Sequence, residues 1–231
     1  MAALSREADA LRHLENSEVS DQVPRLMDFV QSGGQAAIHQ SYRRRRPLDE
    51  SAMHREVLAF LGRLADIDRK ERRLADVMQQ QAVVAGIHWC EARGMAGTVL
   101  RRLRHLCEED IRVTGHRSHG DFAPWNCAWT DAGLFVFDWE ESREWELLLA
   151  DAFYYAVAPS LHIRSQKERL EVLSERALAL HGKAADHAGI EPGNNEIHWA
   201  LWLLRQLGLQ PKPLYGDLLG ELERSWQKTG A

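Results

Sequence analysis

The chain has 231 residues, 45% of them hydrophobic, which is enough apolar material for one large core or two lobes. A formal net charge of −5 and a pI near 6.1 give no reason to expect a nucleic-acid partner. No apolar run is long enough to cross a bilayer, so we expect no membrane partner.

The beginning of the chain predicts a helix followed by a β-hairpin. Apolar residues recur at helical spacing from Leu4 to Leu14. Two strand-like segments, 23–30 and 35–42, then flank a turn at 31–34 that contains two glycines. Four arginines follow at 43–46, and they form either a solvated turn or a group that gathers an anion.

The middle and the end of the chain predict helices. Apolar stripes indicate three of them between residues 49 and 107, the second running without a break from Leu74 to about Gly94. An almost wholly apolar segment at 146–158 predicts a buried helix that ends at Pro159. Three further stripes, in residues 170–180, 197–204 and 218–226, predict late helices.

The stretch from His119 to Glu140 carries the strongest functional pattern. It reads His-Gly-Asp-Phe-Ala-Pro-Trp-Asn, then turn residues at 130–133, then an apolar strand at 134–137 that leads into Asp138. A strand that returns from the turn would bring Asp138 back to the loop that carries Asp121 and Asn126. Three oxygen-bearing side chains would then converge.

Such a set suits phosphoryl transfer. The reaction uses a carboxylate to orient the attacking hydroxyl, and hard oxygen ligands to hold magnesium against the phosphates. The spacing His-x-Asp-x-x-x-x-Asn, followed by an Asp at a strand end, is also that of the protein-kinase catalytic loop. The stretch resembles the aminoglycoside phosphotransferase and choline-kinase-like family, whose loop reads His-Gly-Asp and whose metal-binding Asp often precedes Trp-Glu.

The resemblance implies roles for the residues of this stretch. Asp121 would be the catalytic base, and His119 would support the catalytic loop, 119–126. Asn126 and Asp138 would hold Mg²⁺ against the phosphates of ATP, the phosphoryl donor, with Asp138 in a metal-binding segment at 134–140. Glu140 would help to orient the metal ligands.

The resemblance also implies roles outside this stretch. Glu7 would occupy the place of the helix glutamate that pairs with a phosphate-binding Lys, and Gln40 and Tyr42 would lie at the hinge that meets adenine. Asp151 would brace the catalytic loop through backbone hydrogen bonds. Late aromatic residues, among them Trp199 and Trp202, could line the pocket of a small-molecule acceptor, which would be aminoglycoside-, choline- or sugar-like.

The expected fold is therefore α+β and protein-kinase-like, with a partial small lobe at 1–46 and a mostly helical large lobe at 47–231. Six residues stand before Glu7, where the family has three strands, a phosphate-covering loop and a Lys, and no Lys precedes Lys70. We expect either a fragment, a misplaced start or a degenerate form. Three cysteines without a Cys-x-x-Cys pair, and no signal-peptide core, suggest reduced thiols in a cytoplasmic protein.

Two other functions fit parts of this pattern. A non-catalytic kinase-like binding module fits the missing Lys and the missing glycine-rich loop. A metal-dependent phosphoesterase could use His119, Asp121 and Asp138, although it would need further His and Asp ligands. The sequence does not indicate the identity of the acceptor or the oligomeric state.

Overall fold

The computed structural model describes residues 2–47, 50–162, 169–191 and 195–229, and for 50–52 and 229 the backbone only. These segments form an α+β fold with nine α-helices and three small antiparallel sheets. The helices are α1 Ala2–Leu14, α2 Glu50–Ala65, α3 Leu74–Met78, α4 Gln81–Glu91, α5 Gly97–Glu108, α6 Ala150–His162, α7 Leu170–His187, α8 Asn195–Leu209 and α9 Pro213–Thr229. The strands are β1 Leu26–Ser32, β2 Gln35–Gln40, β3 Lys70–Arg73, β4 Arg112–Ser118, β5 Cys127–Thr130, β6 Gly133–Val136 and β7 Arg143–Leu147.

The N-terminal helix and hairpin are confirmed. Strands β1 and β2 pair antiparallel, with Ser32 opposite Gln35. The turn is tighter than expected, because it consists of Gly33 and Gly34, with φ angles of +58° and +80°. Residues without a Cβ reach this left-handed region at low cost, and such turns match the twist of a hairpin.

A three-stranded sheet in the order β3-β4-β7 supports the loop at 119–126. In the centre, β4 pairs Gly115 with Lys70 of β3 on one side and with Leu147 of β7 on the other. A Cβ on Gly115 would lie 2.3 Å from Cε2 of Trp145, so the two strands approach closely because residue 115 is glycine. The loop at 119–126 begins directly after β4.

Three expectations about helices are wrong. Residues 146–147 belong to β7, and the predicted helix begins only at Ala150, because backbone pairing with β4 outweighs the helical pattern there. Pro159 lies inside that helix, which continues to His162; only one backbone N–H bond is lost, one turn before the helix ends. The helix expected from Leu74 to about Gly94 is divided into α3 and α4 at residues 79–80.

A short hairpin formed by β5 and β6 carries two of the predicted site residues. Thr130 pairs with Gly133 and Cys127 with Val136, so the turn expected at 130–133 is confirmed. Asn126 immediately precedes β5 and Asp138 follows β6 by two residues. Because the strands are antiparallel, both residues lie at the same end of the hairpin.

The core lies among the helices. Its largest fully buried side chains include Trp139, Trp199, Trp202, Trp226 and Tyr215. The three cysteines are free thiols. Within the described part of the chain, no helix has the length and hydropathy that crossing a membrane requires.

Candidate active site

Asp151 holds the start of the loop at 119–126 through its backbone. The side chain lies in the first turn of α6 and is 2% exposed. Its Oδ2 accepts the N–H of His119 at 2.7 Å, and its Oδ1 accepts the N–H of Gly120 at 3.0 Å. Burial raises the pKa of Asp151 to about 6, while these two hydrogen bonds and Arg143 favour the charged form. The expectation that Asp151 braces the loop through backbone hydrogen bonds is confirmed.

Gly120 allows the loop to lie against the segment that follows Asp138. Its φ is +85°, and a Cβ there would lie 2.0 Å from the carbonyl oxygen of Glu141. A side chain would therefore be excluded by both the backbone conformation and the neighbouring backbone. This close approach joins the loop to the turn at 139–142.

His119 is fully buried, and its hydrogen bonds indicate a neutral ring. Its Nδ1 accepts the N–H of Asp121 at 3.3 Å, so the proton is assigned to Nε2, which donates to the carbonyl oxygen of Phe137 at 3.0 Å. Burial lowers the pKa of His119 to about 4. A neutral histidine that connects the loop to the segment before Asp138 fits the supporting role expected of it.

Asp121 is oriented by an amide and a phenol. Nδ2 of Asn126 donates to the carbonyl oxygen of Asp121 at 2.9 Å and to its Oδ2 at 3.0 Å. The Tyr154 hydroxyl also forms a hydrogen bond with the Asp121 carboxylate; burial first, and this carboxylate second, raise the pKa of Tyr154. Asp121 is thus held in one orientation while remaining partly exposed.

Asp138 lies beside other carboxylates at the end of the β5–β6 hairpin. Its φ is +71°, a conformation that costs energy for a residue with a Cβ and is often found at functional sites. Burial, followed by the nearby charges of Glu140 and Asp121, raises the pKa of Asp138. A divalent cation at this position would offset that repulsion.

The oxygen donors near Asp138 fit a cation that also has ligands from a bound phosphate. Among the residues with described positions, no three His, Cys, Asp or Glu side chains are grouped so that they could hold a metal ion. Asp138 and Oδ1 of Asn126 offer two oxygen ligands. Mg²⁺ is commonly held in this way, by one or two protein oxygens together with substrate phosphates and water.

Glu7 and Gln40 are brought to the same region from α1 and β2. Glu7 is 5% exposed and accepts hydrogen bonds from the backbone N–H of Trp139 and from the side chain of Gln40. Burial, and then the charge of Asp138, raises the pKa of Glu7. In the family that the sequence resembles, the carboxylate at the place of Glu7 pairs with a Lys. Here Gln40 and the backbone amide of Trp139 contact it instead.

A cleft of about 180 Å³ lies between β2 and the β5–β6 hairpin. Its lining residues are Pro24, Gln40, Ser41, Tyr42, Arg43, Arg45, Ala128, Phe135 and Phe137. Tyr42 lies at this cleft, but its side chain is 79% exposed and is not buried within it.

The arginine run is anchored on the same hairpin. The guanidinium groups of Arg43 and Arg45 lie 5.4 Å and 5.0 Å from the ring centroids of Phe135 and Phe137. Arg46 forms a forked ion pair with Asp131, at 2.5 Å and 2.8 Å. Three of the four arginines therefore have a partner at or beside the β5–β6 hairpin, which a solvated turn would not provide.

A second cleft, of about 230 Å³, is lined in part by Asp121. Lining residues include Tyr154, Trp202 and Tyr215. Four charged residues to which the sequence assigned no role also line it: Glu141, Arg143, Glu146 and Arg205. Trp199, a suggested wall residue, is instead fully buried in the core. Arg205 is a charged residue within the apolar pattern of α8, and this is the sequence signal that could have identified it.

Comparisons with known proteins leave the site to be interpreted from its own chemistry. Neither a scan against protein-family models nor a search of curated proteins finds a match to this chain. The geometry nevertheless brings His119, Asp121, Asn126 and Asp138 into one neighbourhood, with Glu7 beside Asp138.

Proposed function

We propose that the protein is a small-molecule kinase with a protein-kinase-like fold, which transfers the γ-phosphoryl group of ATP to a hydroxyl group. The observation that carries this proposal is the arrangement of Asp121. Its carboxylate is fixed by Asn126, interacts electrostatically with Asp138 and lines a cleft large enough for a small acceptor.

Asp121 would orient the acceptor hydroxyl and take its proton. Its Oδ2 is held by Asn126, and its partial exposure leaves it accessible from the cleft. A general base must lie within hydrogen-bonding reach of the proton that it removes, and a fixed carboxylate at the pocket wall meets that requirement. His119 and Asp151 would keep the loop in place through the contacts described above.

Asn126 and Asp138 would hold Mg²⁺, which in such reactions neutralises charge on the phosphates. The nucleotide base would occupy the cleft beside Gln40 and Tyr42, where Ala128 and Phe137 provide an apolar floor. The β5–β6 hairpin connects the magnesium ligands to the cleft for the base. Ala128 follows Asn126 closely in the chain, and Phe137 directly precedes Asp138.

The contacts of Glu7 favour a second candidate, a non-catalytic kinase-like binding module. Gln40 and the backbone of Trp139 engage the carboxylate that the family resemblance pairs with a phosphate-binding Lys. A site that lacks this Lys would bind nucleotide weakly or not at all. A phosphoesterase gains no support, because the described residues do not supply the larger set of metal ligands that it would need.

The Asp121→Asn variant tests the proposed function. We expect turnover of ATP with hydroxyl compounds to fall by about 10²–10⁴-fold, because the amide cannot accept the proton. ATP affinity, measured calorimetrically, should stay close to that of the wild type. The control is Asp217→Asn, at an exposed position on α9, which should keep full turnover. Equal turnover in the Asp121 variant would refute its role as the base.

A further inference from the structure

The cleft beside Asp121 contains a largely buried group of three charges. Nη1 of Arg205 lies 2.9 Å from Oε2 of Glu146, and Nη1 of Arg143 lies 3.6 Å from the same oxygen. The side chains of Arg205 and Glu146 are only 11% and 7% exposed, and that of Arg143 is 29% exposed. All three line the cleft.

This group contains two guanidinium groups and one carboxylate. Each guanidinium has five N–H donors in a planar fork, more than the single Glu146 oxygen that they share can accept. Three further carboxylates line the cleft, Asp121, Glu141 and Asp151, so the cleft as a whole is not positive. Glu141 pairs with Arg6 at 3.3 Å, and Asp151 accepts two backbone N–H groups and interacts with the charge of Arg143. The anion-binding capacity therefore belongs to the wall formed by β7 and α8, where the two arginines lie.

The size of the cleft limits the ligand. The cleft has a volume of about 230 Å³. Drug-sized ligands usually occupy about 300–1,000 Å³. A small ligand matches this volume, and the two arginines would repel an amino group placed beside them.

We propose that the acceptor is a small hydroxy acid. Its carboxylate is bound by Arg205 and Arg143, and its hydroxyl group faces Asp121. This inference rests on the proposed function. The hydroxyl oxygen forms a bond to the γ-phosphorus while the bond from that phosphorus to the β–γ bridging oxygen breaks. Asp121 takes the hydroxyl proton, ADP leaves, and the product is a phosphate monoester of the acid.

Matched acceptors test the inference directly. ATP-dependent phosphorylation is measured with glycerate against glycerol, and with serine against ethanolamine, pairs in which only the first member has a carboxylate. We expect kcat/KM to be about 10- to 100-fold higher for the acids, the factor that a charge-assisted hydrogen bond contributes. A preference for glycerol or ethanolamine, or equal rates within both pairs, would overturn the inference.

Variants of the arginine wall test the assignment of residues. Arg205→Gln should raise the KM for the acid by about the same factor and leave the KM for ATP unchanged. This variant leaves the buried Glu146 with one partner fewer, which could destabilise the fold. The double variant Arg205→Gln/Glu146→Gln removes both charges and avoids that effect. Arg224→Gln, at a more exposed ion pair on α9, is the control and should retain the acid preference.

The outcomes separate the inference from the function on which it rests. A protein that phosphorylates glycerol or ethanolamine with ATP, but neither acid, overturns the inference alone. Acid preference that is unchanged in both Arg205 variants does the same. A protein that binds no ATP overturns the proposed function, and the acceptor assignment with it.

Discussion

At the scale of single residues, the site is organised by carboxylates that accept hydrogen bonds from uncharged donors. Asp151 accepts two backbone N–H groups, Glu7 accepts one backbone N–H group and an amide, and Asp121 accepts the Asn126 amide. These partners fix the direction of each carboxylate and leave its charge uncompensated. The negative charge that gathers around Asp138 can then be offset by a bound cation.

The hydrogen bonds of Asp151 lead to a stability prediction. Asp151→Asn replaces one acceptor oxygen by an NH₂ group that faces a backbone N–H, so one buried donor loses its partner. We expect the free energy of unfolding, measured in urea, to fall by about 1–3 kcal/mol. Asp186→Asn, at an exposed position on α7, should change it by no more than about 0.5 kcal/mol. Equal stabilities of the two variants would contradict the bracing role.

Buried His116 leads to a pH prediction. Its Nε2 accepts the N–H of Leu149 at 2.9 Å, and burial lowers its pKa from 6.5 to about 4. Between these two pH values the unfolded chain binds a proton that the folded chain does not, so this group makes stability rise with pH.

The measurement compares the wild type with His116→Gln, which cannot titrate, by urea unfolding at several pH values. The stability difference in favour of the wild type should grow between pH 4 and 6.5, by at most about 1.4 kcal/mol per pH unit, and stay constant above. The raised pKa values of Glu146 and Asp151 act in the opposite direction, but they are common to both proteins and cancel in the difference. A difference that does not vary with pH would contradict the assignment.

At the scale of elements, the helical core depends on one close helix contact. A Cβ on Gly86 of α4 would lie 1.8 Å from the carbonyl oxygen of Leu204 in α8. A Cβ on Gly208 would lie 1.7 Å from the carbonyl oxygen of Ala82. The two helices therefore touch backbone to backbone, and α8 also carries Arg205 to the cleft beside Asp121.

Two glycine substitutions test this contact. Gly86→Ala must push α4 and α8 apart, and we expect a loss of about 1–3 kcal/mol in the free energy of unfolding. Gly182→Ala on α7 is the matched control: the nearest atom to its new Cβ is Nδ2 of Asn195 at 3.6 Å. Alanine there should stabilise the helix by about 0.5–1 kcal/mol. A stable Gly86→Ala protein would contradict the described packing.

Periodicity predicted the elements that bury a face, and failed where pairing decides the structure. Strand β3 reads Lys-Glu-Arg-Arg and is exposed throughout, so it has no apolar pattern to reveal it. Strand β7 begins with charged residues and ends in the apolar run that continues into α6, so 146–149 resembled the start of a helix. Both strands form because they pair with the two edges of β4. Such pairing depends on residues that are distant in the sequence, so a local pattern does not show it.

The site was predictable to the extent that its residues are close in sequence. Asp121, Asn126 and Asp138 lie within one loop and one hairpin, so turn chemistry was sufficient to bring them together. Arg143 and Arg205 come from β7 and α8, 62 positions apart by their numbers, and meet only through Glu146 in the folded chain. A local sequence pattern could therefore not predict that these two arginines share Glu146.

At the scale of the whole molecule, the proposed function uses two clefts. One lies between β2 and the β5–β6 hairpin and is assigned to the nucleotide base. The other lies between β7, α6 and α8 and is assigned to the acceptor. The division into lobes at 1–46 and 47–231 stays a prediction, as does the protein-kinase-like fold. All of these assignments require that ATP binds with Mg²⁺ at Asp138.

Calorimetric titration of ATP into the protein with and without Mg²⁺ tests that requirement most directly. We predict binding that depends on Mg²⁺, is lost in Asp138→Asn, and is retained in Asp121→Asn and in the control Asp217→Asn. Absence of ATP binding to the wild type, or the same affinity in Asp138→Asn as in the control, would contradict it.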